Sequence, residues 1–254
     1  MKLRMLGCGT SSGVPRLGPD WGDCDPNEPR NRRSRVSILV ESETTRILVD
    51  TSPDLREQLL GAGVSQIDAV IWTHDHADHC HGIDDLRQVF HARRAAVRGL
   101  ARVETLASLR ARFAYAFDGK DGYPTTVAGE ILADTVTIGD ILVRTVDQPH
   151  GSITSAGLRF ESAGRSIVYA TDFNILTDDM IEMYQDSEIL VIDALRRAPH
   201  PTHPTLAQAL AWIGDLRAKH AVLTHMDQSM DYAALVADLP PGVEPGYDGL
   251  EIAL

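Results

Sequence analysis

The sequence predicts an α/β chain in which two stacked sheets are covered by helices on their outer faces. Short apolar, β-branched runs recur along the chain, and helix-type segments lie between and after them. Both halves are β-rich, and two sheets hide both their faces only by packing on each other and under helices. In order, Lys2 to Leu6, Val36 to Val40 and Arg46 to Val49 read as strands. Pro53 to Ala62 reads as a helix with proline in its first turn, where a missing N–H costs nothing. Ala69 to Trp72 is the next strand, and Gly82 to Phe90 and Thr105 to Phe117 are the next helices. Tyr123 to Asp140 carries no clear period. Ile141 to Val146, Ser166 to Ala170 and Ile189 to Ile192 are strands, with helices expected at Asp178 to Gln185 and Pro204 to Arg217. No internal repeat, low-complexity tract or linker interrupts the series, so residues 1–254 are expected to form one domain.

The 254 residues include 24 basic and 36 acidic side chains, a net charge of -12. That balance opposes nonspecific binding to nucleic acid unless basic residues cluster locally. A small anionic substrate stays open if metal supplies positive charge. Cys8, Cys24 and Cys80 form no CxxC pair, so neither a disulfide framework nor a thiolate clip is expected. The first residues lack a signal-peptide core, and no stretch reaches the ~20 apolar residues of a membrane span. A soluble cytoplasmic protein is expected.

The densest chemistry lies in Thr73-His74-Asp75-His76-Ala77-Asp78-His79, directly after the apolar run Ala69 to Trp72. Three imidazoles and two carboxylates in seven positions suit zinc, manganese or iron, and the absence of a thiolate argues against a structural zinc finger. Other ligand types follow β-type runs: Asp50 after Val49, His150 after Ile141 to Val146, Asp172 after Thr171, and His225 after Thr224. Singly, an aspartate there is a turn or cap residue and a histidine a surface or core residue. Together they form an ordered set.

That set resembles the metallo-β-lactamase superfamily over nearly the whole chain. The resemblance implies an αββα four-layer sandwich with a two-metal site at one sheet edge. It implies that His74, His76 and His150 hold one divalent ion, that Asp78, His79 and His225 hold the second, and that Asp172 bridges them. Asp50 would orient a ligand through its hydrogen bond. Two such ions, zinc or manganese, would share a hydroxide of near-neutral pKa.

Three further segments narrow the branch. Leu6-Gly7-Cys8-Gly9-Thr10-Ser11-Ser12-Gly13-Val14-Pro15 is similar to the opening loop of transfer-RNA 3′-processing nucleases and of the phosphoribosyl 1,2-cyclic phosphate phosphodiesterases. The donors of such a loop could meet phosphate; a tight turn is the plainer reading. Pro199-His200-Pro201-Thr202-His203-Pro204-Thr205 precedes the helix that starts at Leu206. The resemblance implies that His203 is the general acid, with His200 as the second candidate, because an alkoxide leaves poorly unless protonated. Trp21 to Pro26 and Asn31-Arg32-Arg33-Ser34-Arg35 are similar to a loop that binds a structural zinc in the cyclic phosphate phosphodiesterases. Here only Cys24 remains, and Gln228 stands near the partner histidine's place, so no such zinc is expected. Arg32, Arg33 and Arg35 are either solvated or contacts for a terminal phosphate. The ending, Pro245 to Ile252, again resembles that subgroup.

The reading is therefore a dinuclear metal-dependent phosphodiesterase with His203 and Asp78 as catalytic residues. By resemblance it opens phosphoribosyl 1,2-cyclic phosphate to ribose 1,5-bisphosphate in phosphonate catabolism. One alternative is a transfer-RNA 3′-end nuclease, for which the arginines from His91 to Arg112 would form a phosphate-tracking stripe, or else a solvated helix face. A noncatalytic cofactor-biosynthesis accessory protein is the other. The expected partner is a small phosphorylated substrate, without a membrane, and homodimerisation is implied by resemblance alone.

Overall fold

The computed structural model describes residues 1–254. The first half lays down β1 (Lys2–Gly7), β2 (Ser37–Glu41), β3 (Arg46–Val49), β4 (Ala69–Trp72), β5 (Val97–Ala101) and β6 (Val127–Ile131). The second half adds β7 (Thr135–Ile138), β8 (Ile141–His150), β9 (Ile153–Ser162), β10 (Arg165–Ala170), β11 (Ile189–Asp193), β12 (His220–Thr224), β13 (Val243–Pro245) and β14 (Glu251–Ala253). One sheet runs β14-β1-β2-β3-β4-β5-β6 and the other β13-β12-β11-β10-β9-β8-β7. Both are mixed. β3 to β6 are mutually parallel, as are β10 to β13, and the remaining pairs are antiparallel.

Side-chain alternation shows why the sheets stack. Ile38, Val40, Ile47, Val49, Ala69 and Ile71 join the core shared with the second sheet, while Leu39, Leu48, Val70 and Trp72 face the opposite way. That outer face is covered by α1 (Leu55–Ala62), α3 (Leu86–Arg93), α4 (Val103–Arg112) and α5 (Ala114–Asp118), with the single turn α2 (Ala77–Cys80) between the first two. The second sheet carries α6 (Asp178–Tyr184), α7 (Leu206–Leu216) and α8 (Tyr232–Asp238). With residues of period two buried on both faces, both sheets are interior and the helices form the outer layers.

Most expected elements recur with shifted ends, and three departures have clear causes. The proposed helix face from His91 to Arg112 is broken by β5, which pairs with both β4 and β6. Gly99 makes this strand fit, since a Cβ there would lie 2.8 Å from the Trp72 ring. Thr105 to Phe117 divides at Phe113, whose φ of -125° is not helical. The stretch from Tyr123 to Asp140 holds edge strands β6 and β7, whose weak period reflects largely exposed positions.

Candidate metal centre

The site grows from the carboxyl ends of parallel strands, where open α/β sheets gather ligands. Val49 pairs with Ile71, so Asp50 and the Thr73-His74 segment leave the first sheet at one edge. Ala170 pairs with Ile192 and Asp193 with Thr224, so Asp172, Asp193 and His225 leave the second sheet together. The edges are stitched by the Ala156 amide, which donates to the Thr73 carbonyl at 2.9 Å. Asp50, Asp172 and His225 turn the chain in the left-handed region, with φ of 62°, 56° and 58°. A non-glycine residue held there costs energy, which the surrounding sheet and hydrogen bonds must supply. α2 then brings Asp78 and His79 back under the edge, and His150 ends β8.

These residues converge. The donor atoms of His74, His76 and His150 lie within 4.8 Å of one another, as do those of Asp78, His79 and His225. Asp172 sits between the groups: Oδ2 is 3.1 Å from His79 Nε2, and Oδ1 is 3.5 Å from His225 Nε2, 3.6 Å from His150 Nε2 and 3.9 Å from His74 Nε2. All of these side chains are buried except His76, at the mouth.

Asp50 holds His79 from behind, its Oδ2 2.7 Å from Nδ1, while accepting from the amide and hydroxyl of Thr73. The Thr202 carbonyl accepts from His150 Nδ1 at 3.0 Å. Both imidazoles therefore present Nε2 to the centre, the usual way outer partners set a ligand's tautomer. Burial opposes charge on His79 and His225, but neighbouring carboxylates outweigh it, holding His79 well above its ordinary value and His225 at about 9. His74 is driven well below its ordinary value, first by burial and then by neighbouring His79.

The donor set fits divalent metal ions. Nε2 of His74, His79 and His225 is buried without a hydrogen-bond partner, a costly arrangement for a polar atom unless something else binds it. Imidazole and carboxylate are the donors such ions prefer.

Beside this cluster His203 places Nε2 3.9 Å from Asp172 Oδ1, and its Nδ1 is 2.7 Å from Asp193 Oδ2. The same Asp193 oxygen accepts from the Asp172 amide at 3.0 Å. Asp193 was not singled out in the sequence. Its signal was there, an aspartate ending the buried run Ile189 to Ile192, as Asp172 follows Ser166 to Ala170. His200 packs against His203, the two ring centroids 5.0 Å apart, with its Nδ1 accepting from the Thr202 amide at 3.3 Å. Asp75 is more than a spacer: its carboxylate takes the Ser108 hydroxyl and lies 3.4 Å from Arg112, anchoring the ligand loop to α4.

The arginines depart most from expectation. Arg33 is 1% exposed and donates to the carbonyls of Met230 and Asp227, so it ties two loops together and cannot meet substrate phosphate from the surface. Arg35 pairs with Asp54, and Arg32 lies over the Trp21 ring. In the supposed phosphate stripe, Arg93 pairs with Asp68, Arg98 with Glu130, and Arg102 with Asp134 and Asp147. Arg110 and Arg112 donate to the carbonyls of Gly129 and Asp75. The opening loop docks on the strand end that carries His225, with Met226 donating to the Cys8 carbonyl and Thr10 to the Met226 carbonyl.

A family model described as Beta-lactamase superfamily domain matches residues 45–226. The chain belongs to the metallo-β-lactamase superfamily. A solved diphosphatase of the PhnP family superimposes with a TM-score of 0.90 and 35% identity, covering 99% of this chain and 96% of that one. Human tRNase Z, short form, matches with a TM-score of 0.73 over 100% of this chain and 99% of its own, but at 17% identity, a likeness of fold alone. Among curated proteins, an octanoyltransferase of Porphyromonas gingivalis is 35% identical over 99% of this chain, which spans 51% of that protein. A ribonuclease Z of Bradyrhizobium sp. is 39% identical over 70 residues, 27% of this chain and 23% of that protein. The chain thus spans about half the length, or less, of these curated relatives. It adopts the metallo-β-lactamase fold, and none of its helices is long and apolar enough to cross a membrane.

Proposed function

We propose that the chain is a two-metal phosphodiesterase acting on a small cyclic phosphodiester, with phosphoribosyl 1,2-cyclic phosphate as the natural candidate. His74, His76 and His150 would hold one ion, Asp78, His79 and His225 the other, with Asp172 between them; zinc and manganese both suit these donors. Divalent ions there supply Lewis-acid charge and acidify bound water. The observation that carries the reading is His203 beside Asp172. Asp193 accepts a hydrogen bond from Nδ1 and leaves Nε2 directed toward Asp172, so Nε2 is the atom that would hand a proton to the departing sugar oxygen. A lactam or thioester hydrolase has less need of an acid aimed at an alkoxide. The diphosphatase similar over nearly its whole length supports phosphate chemistry, and three buried, unpaired cysteines support a reducing cytoplasm.

Ribonuclease Z relatives keep the transfer-RNA reading in view. Against it stand the arginines of the supposed stripe, most of them occupied within the chain. One panel separates the readings: the metal-loaded protein should cleave small diesters well ahead of thioesters and lactams, and should not shift precursor transfer RNA at low salt. Preference for thioester or lactam would sink the phosphodiesterase, and salt-dependent RNA binding with cleavage would favour the nuclease.

A further inference from the structure

Where α6 packs on β8 and β9, a chain of buried polar side chains leads to Asp172. The Tyr184 hydroxyl donates to Gln148 Oε1 at 2.7 Å. The Gln148 amide donates to Ser155 Oγ at 2.8 Å and to the Thr171 carbonyl at 2.9 Å, and the Ser155 hydroxyl donates to the Asp172 carbonyl at 2.7 Å. The phenol, both amide N–H groups and the serine hydroxyl are thus all spent in one direction. They end on two carbonyls that lie past the last paired residue of β10. Strand register makes the chain possible. Gln148 pairs with Ser155, and two residues further on Gly157 leaves the gap for the phenol, since a Cβ there would fall on the Tyr184 hydroxyl. A buried polar series is costly unless every group is satisfied, and once satisfied it fixes one geometry. The geometry fixed here is the left-handed turn at Asp172, with its φ of 56°. Asp193 Oδ2 takes the Asp172 amide at 3.0 Å and Ser155 takes its carbonyl, so the residue is pinned at both ends while its carboxylate stands between the histidine groups.

We propose that Tyr184, Gln148 and Ser155 are positioning residues for the metal centre: they hold the Asp172 peptide in its strained turn and so set where the carboxylate shared by the two ligand groups stands. None of the three is a ligand, and all act through Asp172. The inference rests on the two-metal reading of the site and is independent of the substrate. Apolar residues could fill the same space, but they would take neither carbonyl.

Titrating Mn2+ into the metal-free protein tests it, with electron paramagnetic resonance reading both the Kd and the exchange-coupled signal of paired ions, and urea midpoints reading stability. Ser155→Ala should raise the Kd about tenfold or more, the range found when a partner behind a metal ligand is lost, and should weaken the coupled signal. Tyr184→Phe removes only the far end of the chain, so it should act in the same direction and less, and it serves as the test if Ser155→Ala does not fold. Leu235→Ala, a buried change in α8, should lower the urea midpoint as a cavity does and leave the Kd as it was. An unchanged Kd and coupled signal in Ser155→Ala and Tyr184→Phe, or an equal change in Leu235→Ala, overturns the positioning role. A parent protein that binds a single Mn2+ would sink the two-metal reading, while a Kd that still depends on Ser155 and Tyr184 would keep their hold on Asp172.

Discussion

Replacing His203 with Ala separates two roles that its position allows. It offers a ring nitrogen to a candidate ligand group with His150 and Asp172, yet its Nδ1 is held by Asp193 as in an oriented acid. An acid matters in proportion to how poorly the leaving group departs. For an alkyl diester, losing a positioned general acid should cost about 10²–10⁴ in kcat, whereas a nitrophenyl diester needs little protonation. Asp193→Ala should reproduce much of the loss, because it removes the charged acceptor of the Nδ1–H and leaves the buried Asp172 amide unpaired. The first effect is worth about 1.5–3 kcal/mol and the second about 1–3 kcal/mol. Since Asp193 acts on the leaving group through His203, the double variant should be little slower on the alkyl diester than His203→Ala. The assay is steady-state hydrolysis of an alkyl and a nitrophenyl diester, with metal content measured on the same samples. An equal fall on both substrates accompanied by lost metal would refute the acid role and make His203 a ligand.

Two further outcomes follow from the carboxylates of Asp50, which is buried, and Asp248, which is partly buried. Asp50→Ala should weaken metal affinity about 10–100-fold, the usual effect of removing a partner behind a ligand histidine, because His79 Nδ1 and Thr73 lose their common acceptor; competition with a metal buffer reads it, and unchanged affinity would leave Asp50 a purely structural residue. Burial pushes the Asp248 carboxyl from 3.8 to about 6, against donors from Ser34 and Cys8. The native protein thus keeps a proton that the unfolded chain releases. This contribution is fully present below the unfolded value near pH 4 and lost as pH rises through about 6, a fall of roughly 3 kcal/mol for two units. Urea midpoints across that range should show the slope in the parent protein and its loss in Asp248→Asn; parallel curves would disprove it.

Legibility followed the range of the interaction. The ligand run from His74 to His79 is compact because one tight turn and one helical turn aim its side chains, so neighbours in sequence are neighbours in space. Asp172 and His225 were readable as polar residues ending apolar strands, although neither run shows which sheet it joins. Asp193 had the same signal and was passed over, because nothing local distinguishes an aspartate that orients an imidazole from one that caps a turn. β5 was read through as helix, since Gly99 and the flanking arginines hide a strand whose reason is the Trp72 ring packed against it.

By itself, the sequence determined the composition of the site and the two-period pattern that stacks the sheets, since donor chemistry and side-chain alternation are local properties. Only the tertiary structure decided that parallel register brings Asp172, Asp193 and His225 to one edge opposite Asp50 and His74. It also turned arginines available to a phosphate into internal clamps. Pairing, burial and free donors depend on residues far apart in the chain, and those contacts exist only once the sheets have packed.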